Sequence, residues 1–296
     1  MRTTAFPCIR RLPIVAGVVA AALLTACSGD GTPTPPPVEV PTLTATSAPS
    51  TSTPPPAASE TAVVLPTAPE SARVDTGTPV FSNPTSITNP LFPISKLETA
   101  ILVGHVEGKP FRTETTLLPA TKTITVDGKP LEARVSQYMA YLDGRIEEVA
   151  VDLYAQDDAG NVWYLGEDVF NYADGAVADT NGTWLAGREG PPAMIMPANP
   201  KVGDVYRPEN APGVVFEEVT VKETGVAIDG PSGRIEGAII AHELHMDGTT
   251  EDKTFAPRYG EFSTGDPTSD LEALALGMPA DFVGGETPAD LVAMVD

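Results

Sequence analysis

Residues 121–160 read TKTITVDGKPLEARVSQYMAYLDGRIEEVAVDLYAQDDAG, and their pattern indicates the fold class. Its runs of β-branched and aromatic residues are separated by Asp-Gly pairs at 127–128 and 143–144, and a third pair follows at 174–175. Gly accepts the positive φ that tight hairpin turns need, so each pair predicts an antiparallel hairpin. Repeated hairpins predict a mainly β protein, with a single antiparallel β-meander domain built as a sandwich or half-barrel.

The run 148–155 indicates how one of these strands faces its surroundings. Side chains alternate between the two faces of a strand, so a period of two in hydrophobicity predicts one buried and one wet face. The set expected to be buried is Val149, Val151, Leu153 and Ala155, and the set expected to face solvent is Glu148, Ala150, Asp152 and Tyr154.

The end of the chain carries helix-start signals. Ser269 and Glu272 have the spacing of a capping box before a Leu-Ala-rich run, and Thr287-Pro288 resembles a second start. The first segment is equally compatible with an edge strand. We therefore expect a β-rich globular domain over 87–266 and a short, helical C-terminal appendage over 267–296.

The N-terminus has the features of a processing signal. Arg10 and Arg11 precede an apolar run at 12–24, which is typical of a signal peptide. Leu24-Thr25-Ala26-Cys27 resembles the lipobox of bacterial lipoproteins, in which the Cys thiol receives a diacylglycerol before cleavage. The sequence thus predicts a signal peptide over 1–26, lipidation at Cys27 and an extracytoplasmic protein held on a bacterial membrane.

Residues 27–86 are rich in Pro, Thr and Ser and contain few large apolar side chains. Such a segment buries too little apolar surface to offset the entropy of ordering its chain. We therefore expect a disordered, lipid-anchored tether between the membrane and the globular domain.

Charge and cysteine content exclude several classes of protein. The chain has 40 Asp and Glu residues against 18 Lys and Arg residues, a formal net charge of −22, so a nucleic-acid partner is not expected. The two cysteines are Cys8, which leaves with the signal peptide, and Cys27. The folded part then has no thiol for a disulfide, for redox catalysis or for a thiolate metal site.

Three segments resemble a family of bacterial secreted and lipid-anchored proteins that has no assigned activity. They are TNPLFP at 88–93, YAQDDAGNVWYLGED at 154–168 and MPANPKVGDVY at 196–206. The resemblance runs from about residue 87 to about residue 259. It implies a secreted β-rich domain and supplies no catalytic residues.

The candidate metal ligands are His242, Glu243, His245 and Met246, in a segment that holds two of the three histidines of the chain. On a strand, Glu243 and His245 share one face, and His242 and Met246 share the other. The first face suits zinc or a similar ion, and the imidazole and thioether of the second suit copper. Ordinary solvent-facing polar residues are the competing interpretation.

Five aromatic residues lie close together in the sequence: Trp163, Tyr164, Phe170, Tyr172 and Trp184. They either line a concave face that binds a glycan or an apolar ligand, or form the core of a domain with few other aromatic residues. Both interpretations remain open from the sequence.

Three functional hypotheses follow. The leading one is a non-enzymatic cell-envelope lipoprotein whose partner is an unknown envelope protein or a small ligand, with the membrane contacted only through the N-terminal lipid. The alternative is a metal-binding or metal-delivery lipoprotein that uses the 242–246 segment and a divalent metal; no other cofactor is predicted. An envelope hydrolase is third, because the chain has carboxylates but no nucleophile elbow, Walker loop or dinucleotide fingerprint.

Overall fold

The structure is a computed structural model that describes residues 65–97, 99–266 and 269–277. One short 3₁₀ helix, Glu70–Ala72, precedes fourteen β-strands. The strands are β1 (Thr99–Val106), β2 (Lys109–Val126), β3 (Lys129–Leu142), β4 (Arg145–Gln156), β5 (Val162–Ala173), β6 (Ala176–Asp179), β7 (Trp184–Leu185), β8 (Ala193–Met196), β9 (Val205–Ala211), β10 (Val215–Gly230), β11 (Gly233–His245), β12 (Thr250–Ala256), β13 (Gly260–Asp266) and β14 (Ser269–Gly277).

All strands belong to one antiparallel sheet, which confirms the predicted mainly β fold. Its order is β6-β5-β4-β3-β2-β1-β14-β13-β12-β11-β10-β9, with β7 and β8 paired to β5 away from this path. Two meanders, β1–β6 and β9–β14, are therefore joined where β1 pairs with β14.

The predicted Asp-Gly turns connect strands as expected. Asp127-Gly128 joins β2 to β3, Asp143-Gly144 joins β3 to β4, and Asp174-Gly175 joins β5 to β6. In each pair both residues have positive φ, for example 49° at Asp127 and 74° at Gly128. Two consecutive positive φ values are what the primed hairpin turns require, because their twist matches that of the flanking strands.

The sheet curves so that both meanders face one interior. Side chains of β1–β5 and β8–β14 line a common cavity, which fits the half-barrel better than the sandwich. At the bulge in β5, Gly166 has φ 127°, and a Cβ there would lie 2.4 Å from the carbonyl oxygen of Trp184. The absence of a side chain at Gly166 thus lets β7 pair closely with β5, with Trp184 fully buried.

The predicted C-terminal helix at Ser269 is wrong, because these residues form β14, which pairs with β1 on one side and β13 on the other. Leu271 and Ala273 are buried, whereas Glu272 and Leu274 are exposed. This alternation has the period of a strand, and hydrogen bonds on both sides outweigh the helix propensity of Leu, Glu and Ala. The globular part therefore extends beyond the boundary predicted at 266.

The globular part also begins earlier than the boundary predicted at 87. The amide of Val74 donates to the carbonyl of Val205 over 2.8 Å. Asp75, which is buried, accepts hydrogen bonds from the Arg73 guanidinium and from the amide of Arg207. The sequence predicted that residues 65–86 belong to the tether. In the structure they lie against the sheet, and hydrogen bonds such as these hold them there.

The predicted signal peptide, Cys27, the tether up to residue 64 and the second helix start at Thr287 lie outside the described residues. Within the described ranges, no helix is long and apolar enough to cross a membrane.

Candidate functional site

A cavity of about 170 Å³ lies inside the curve of the sheet. Much of its wall is apolar and comes from the loop before β1 and from strands of both meanders. These side chains are Phe92, Ile94, Leu97, Leu102, Tyr154, Val219, Phe255, Tyr259 and Leu271. Charged side chains also line the cavity, namely Asp152, Glu209, Glu217, Glu243, Lys253 and Glu261.

The five aromatic residues singled out in the sequence have different positions. Tyr164 lines the cavity and stacks on Tyr154 with 4.8 Å between ring centroids. Trp163 and Trp184 are buried in the core, and the indole nitrogen of Trp163 donates to Asp157 over 2.8 Å. Phe170 is 36% exposed. Trp163, Tyr164 and Trp184 thus belong to the core, and Tyr172 is half-buried. Binding of a glycan or an apolar ligand by this group stays a prediction.

Acidic side chains buried inside the sheet form a group that we call the carboxyl layer. Its members are Asp152, Glu167, Glu209, Glu217, Glu243 and Glu251, and their exposed fractions range from 3% to 8%. Strand register brings them together, because Asp152 lies opposite Glu167, Glu209 opposite Glu217, and Glu243 opposite Glu251. Like charges directly opposite one another destabilise a sheet unless protons or cations neutralise them.

Two buried cations accompany the part of the layer on β10–β12. Lys253 Nζ lies 2.6 Å from Glu243 Oε2 and 3.5 Å from Glu251 Oε1. His245 Nδ1 lies 3.4 Å from Glu217 Oε1, and its Nε2 lies 3.6 Å from Glu251 Oε1. Burial alone lowers the pKa of His245, but its contacts with Glu217 and Glu251 raise that pKa to about 10. This half of the layer is thus internally paired.

The part of the layer on β4, β5 and β9 has no such partner. Asp152 accepts hydrogen bonds from Tyr164 Oη at 2.8 Å and from Ser136 Oγ at 3.3 Å. The carboxyl groups of Glu167 and Glu209 lie within hydrogen-bonding reach of one another. Across the described ranges, no Lys, Arg or His side chain forms an ion pair with any of these three residues.

These three carboxyl groups are therefore easy to protonate. Burial raises the pKa of Asp152 to about 6, and the hydrogen bonds from Tyr164 and Ser136 offset only part of this rise. Burial also raises the pKa of Glu167, with a further rise from Asp152, and that of Glu209, with a further rise from Glu217. A proton neutralises each of these groups below its raised pKa, whereas cationic side chains neutralise the carboxylates of the other half.

Tyr206 is another polar side chain of the cavity wall. It is completely buried, and its hydroxyl has no hydrogen-bond partner among the described residues. Burial and the nearby Glu243 carboxylate raise its pKa, so the phenol keeps its proton. A buried hydroxyl without a partner is costly, so this proton is available to a bound molecule.

The structure divides the four predicted metal ligands. Glu243 and His245 point inward and lie with Glu217, so that one ligand atom from each of the three is within 4.8 Å of the others. His242 lies on the other face, where its Nδ1 is 2.7 Å from Asp252 Oδ1. Met246 follows the end of β11 and is half-buried. The sequence did not identify Glu217, whose position depends on the register of β10 with β11.

For the 148–155 strand the face predicted to be buried is confirmed, with Val149, Leu153 and Ala155 buried, and the face predicted to meet solvent is wrong. Ala150, Asp152 and Tyr154, expected to face solvent, line the cavity, and Leu153 and Ala155 are buried on the opposite side. Neither face of this strand meets solvent. Its apolar residues face the core, and its alternate residues face the cavity. Asp152 was missed as a site residue for this reason.

Comparisons with family models, with curated proteins and with solved structures found no match for this chain. The resemblance of the 88–93, 154–168 and 196–206 segments to a family of secreted and lipid-anchored proteins stays a prediction.

Proposed function

We propose that this protein is an extracytoplasmic, lipid-anchored binding protein that takes a small organic cation into the cavity inside its sheet. The proposal rests on one observation. Asp152 and Glu209 are buried carboxyl groups that face the cavity, and within the described residues neither forms an ion pair with a Lys, Arg or His side chain.

Charge balance supports a cationic ligand. A buried carboxylate is stable only when it is paired, and otherwise it takes up a proton. An ammonium group that enters between Asp152 and Glu209 replaces those protons and pairs with the carboxylates in a medium of low dielectric constant. The same fold already places an ammonium beside buried carboxylates, since Lys253 Nζ contacts Glu243 and Glu251.

The size and apolar wall of the cavity define the rest of the ligand. An apolar cavity of about 150 Å³ holds one benzene molecule, so a cavity of about 170 Å³ accommodates a ligand of comparable size. Phe92, Tyr154 and Phe255 supply apolar and aromatic surface for the body of the ligand. Tyr154 and Tyr164 also offer ring faces to a cation. These features fit a small primary amine with an apolar body.

Benzylamine is expected to bind the full chain more tightly at pH 7 than at pH 5, by about tenfold. A proton and an ammonium compete for Asp152, whose pKa is about 6, and each bound proton must leave before the amine pairs.

Glu209→Gln is expected to lower the affinity at pH 7 by about tenfold or more, because a hydrogen bond to a charged group is lost. Isothermal titration calorimetry measures both effects.

Two controls separate charge from shape. Benzyl alcohol has the size of benzylamine without its charge and is expected to bind weakly at both pH values. Asp168→Asn removes a carboxylate from the exposed side of β5, where Asp168 pairs with Lys122, and is expected to leave amine affinity unchanged. Equal affinities for the amine and the alcohol, an unchanged affinity in Glu209→Gln, or no binding of benzylamine would refute the proposal.

Lipid anchoring is the part of the proposal that rests on residues 24–27. Cys27→Ser in the full chain, expressed in a bacterium, is expected to abolish incorporation of labelled palmitate and to move the protein out of the membrane fraction, because the acceptor thiol is lost. Cys8→Ser is the matched control and is expected to change neither readout, since Cys8 lies within the predicted signal peptide. Lipid labelling that persists in Cys27→Ser would contradict the anchor.

A further inference from the structure

We infer that Glu217, Glu243 and His245, on β10 and β11, form a binding site for one divalent cation of the zinc class. This inference goes beyond the proposed function, because it concerns a different half of the carboxyl layer and a different ligand.

The strand pairing fixes the three side chains. Glu217 on β10 lies directly opposite His245 on β11, and Glu243 precedes His245 by two residues on the same face. All three are buried, with exposed fractions of 7%, 3% and 6%. The site therefore rests on two neighbouring strands rather than on a loop, which keeps its geometry defined.

The spacing of the ligand atoms suits a single ion. Ligand atoms bound about 2.0–2.2 Å from a tetrahedral zinc ion lie about 3.3 Å from one another. His245 Nδ1 and Glu217 Oε1 are 3.4 Å apart, and an oxygen of Glu243 completes the set within 4.8 Å. Small side-chain rotations would bring all three atoms onto one ion. One imidazole with two carboxylates is a donor set that suits zinc.

The Tyr206 hydroxyl is an independent sign that the site takes a ligand. This side chain is completely buried, lines the same cavity as Glu217 and Glu243, and has no hydrogen-bond partner in the described part of the chain. It can donate to a carboxylate oxygen or to a water molecule on the ion. Because Glu217 and Glu243 face the cavity, the fourth position of the ion opens toward it.

Lys253 neutralises the site when no ion is bound. Its Nζ contacts Glu243 Oε2 at 2.6 Å and also reaches Glu251 Oε1 at 3.5 Å. When an ion takes Glu243, Lys253 keeps Glu251 as a partner, so neither charge is left isolated. The two carboxylates of the site balance the charge of a divalent ion, and His245 gives up a proton to solvent when its nitrogen binds.

The test uses the full chain, freed of metal with a chelator and titrated with ZnCl₂ in a calorimeter. We expect one zinc ion per chain, with affinity at least about 100-fold lower in Glu217→Gln and in Glu243→Gln. His242→Ala is the matched control on the other face of β11 and is expected to bind zinc as the unchanged chain does. Circular dichroism verifies that each variant is folded, and bound Co²⁺ reports the coordination geometry through its visible absorption.

Loss of zinc binding in His242→Ala together with retention in Glu217→Gln and Glu243→Gln would overturn the inference, as would the absence of stoichiometric binding to the unchanged chain. CaCl₂ is expected to bind at least about tenfold more weakly, because calcium prefers oxygen ligands alone; equal affinity would also count against the site. Benzylamine titration of Glu243→Gln separates the two proposals, since Asp152 and Glu209 remain in place and Glu217, which lies opposite Glu209, is unchanged; the variant is expected to lose zinc binding and to keep amine binding.

Discussion

Lys253→Met is expected to lower the free energy of unfolding by about 3–5 kcal/mol at pH 8, the range measured when one partner of a buried ion pair is removed. Lys253 is buried beside Glu243 and Glu251, and both carboxylates lose their nearest cation when it is replaced. The loss is expected to shrink toward pH 5, because burial raises the pKa of both Glu243 and Glu251 and a proton then neutralises each. Urea denaturation at the two pH values measures the effect.

Two further variants show whether charge causes this loss. Glu243→Gln added to Lys253→Met removes one unpaired carboxylate and is expected to recover a substantial part of the lost stability. Lys122→Met removes an exposed lysine that pairs with the exposed Asp168, and its effect is expected to stay within about 0.5 kcal/mol. A Lys253→Met protein within 1 kcal/mol of the unchanged chain at pH 8 would show that the carboxyl layer does not depend on this cation.

The ligand-free protein is expected to lose stability as the pH rises from 4 to 7, and Asp152→Asn is expected to remove about 3 kcal/mol of that loss. Folding raises the pKa of Asp152 from 3.8 to about 6, so its contribution is present below pH 4 and lost as the pH rises through 6. The raised pKa values of Glu167 and Glu209 act in the same direction. His245 also adds stability, which is fully present below pH 6.5 and is lost progressively as the pH rises from there to about 10. Denaturation curves at several pH values measure the profile.

Asp168→Asn is the matched control for this profile, because Asp168 occupies the same strand as Glu167 but faces outward and is exposed. It is expected to leave the pH dependence unchanged. A flat profile for the unchanged chain, or the same slope in Asp152→Asn, would show that Asp152 does not bind its proton more tightly in the folded state.

The sheet was predictable because its turns are local. Each Asp-Gly pair has the positive φ values that its turn needs, so the hairpins β2–β3, β3–β4 and β5–β6 follow from neighbouring residues alone. The pairing of β1 with β14 was not predictable, since it joins residues about 170 positions apart and no local signal records it. The Leu-Ala-rich run at 271–276 has the composition of a helix, and only its position between two strands makes it a strand.

The candidate site was predicted only in part. The period of a strand places Glu243 and His245 on one face, and the structure has them together. Glu217 and Glu209 join them through register, which sequence spacing does not reveal. Asp152 was assigned to the solvent face because polar residues usually mark it, but in a sheet that curves around a cavity the polar face is the inner one.

A bound cation is expected to replace protons in the carboxyl layer, and the number of protons released on binding measures this exchange. Benzylamine is titrated into the full chain at pH 6 in two buffers that differ in ionisation enthalpy, so that the difference in heat gives the number of protons released. We expect release of a substantial fraction of a proton per amine bound at pH 6, and we expect the share that comes from Asp152 to disappear at pH 8, where Asp152 is already ionised. Equal heats in the two buffers at pH 6, or no binding, would contradict it.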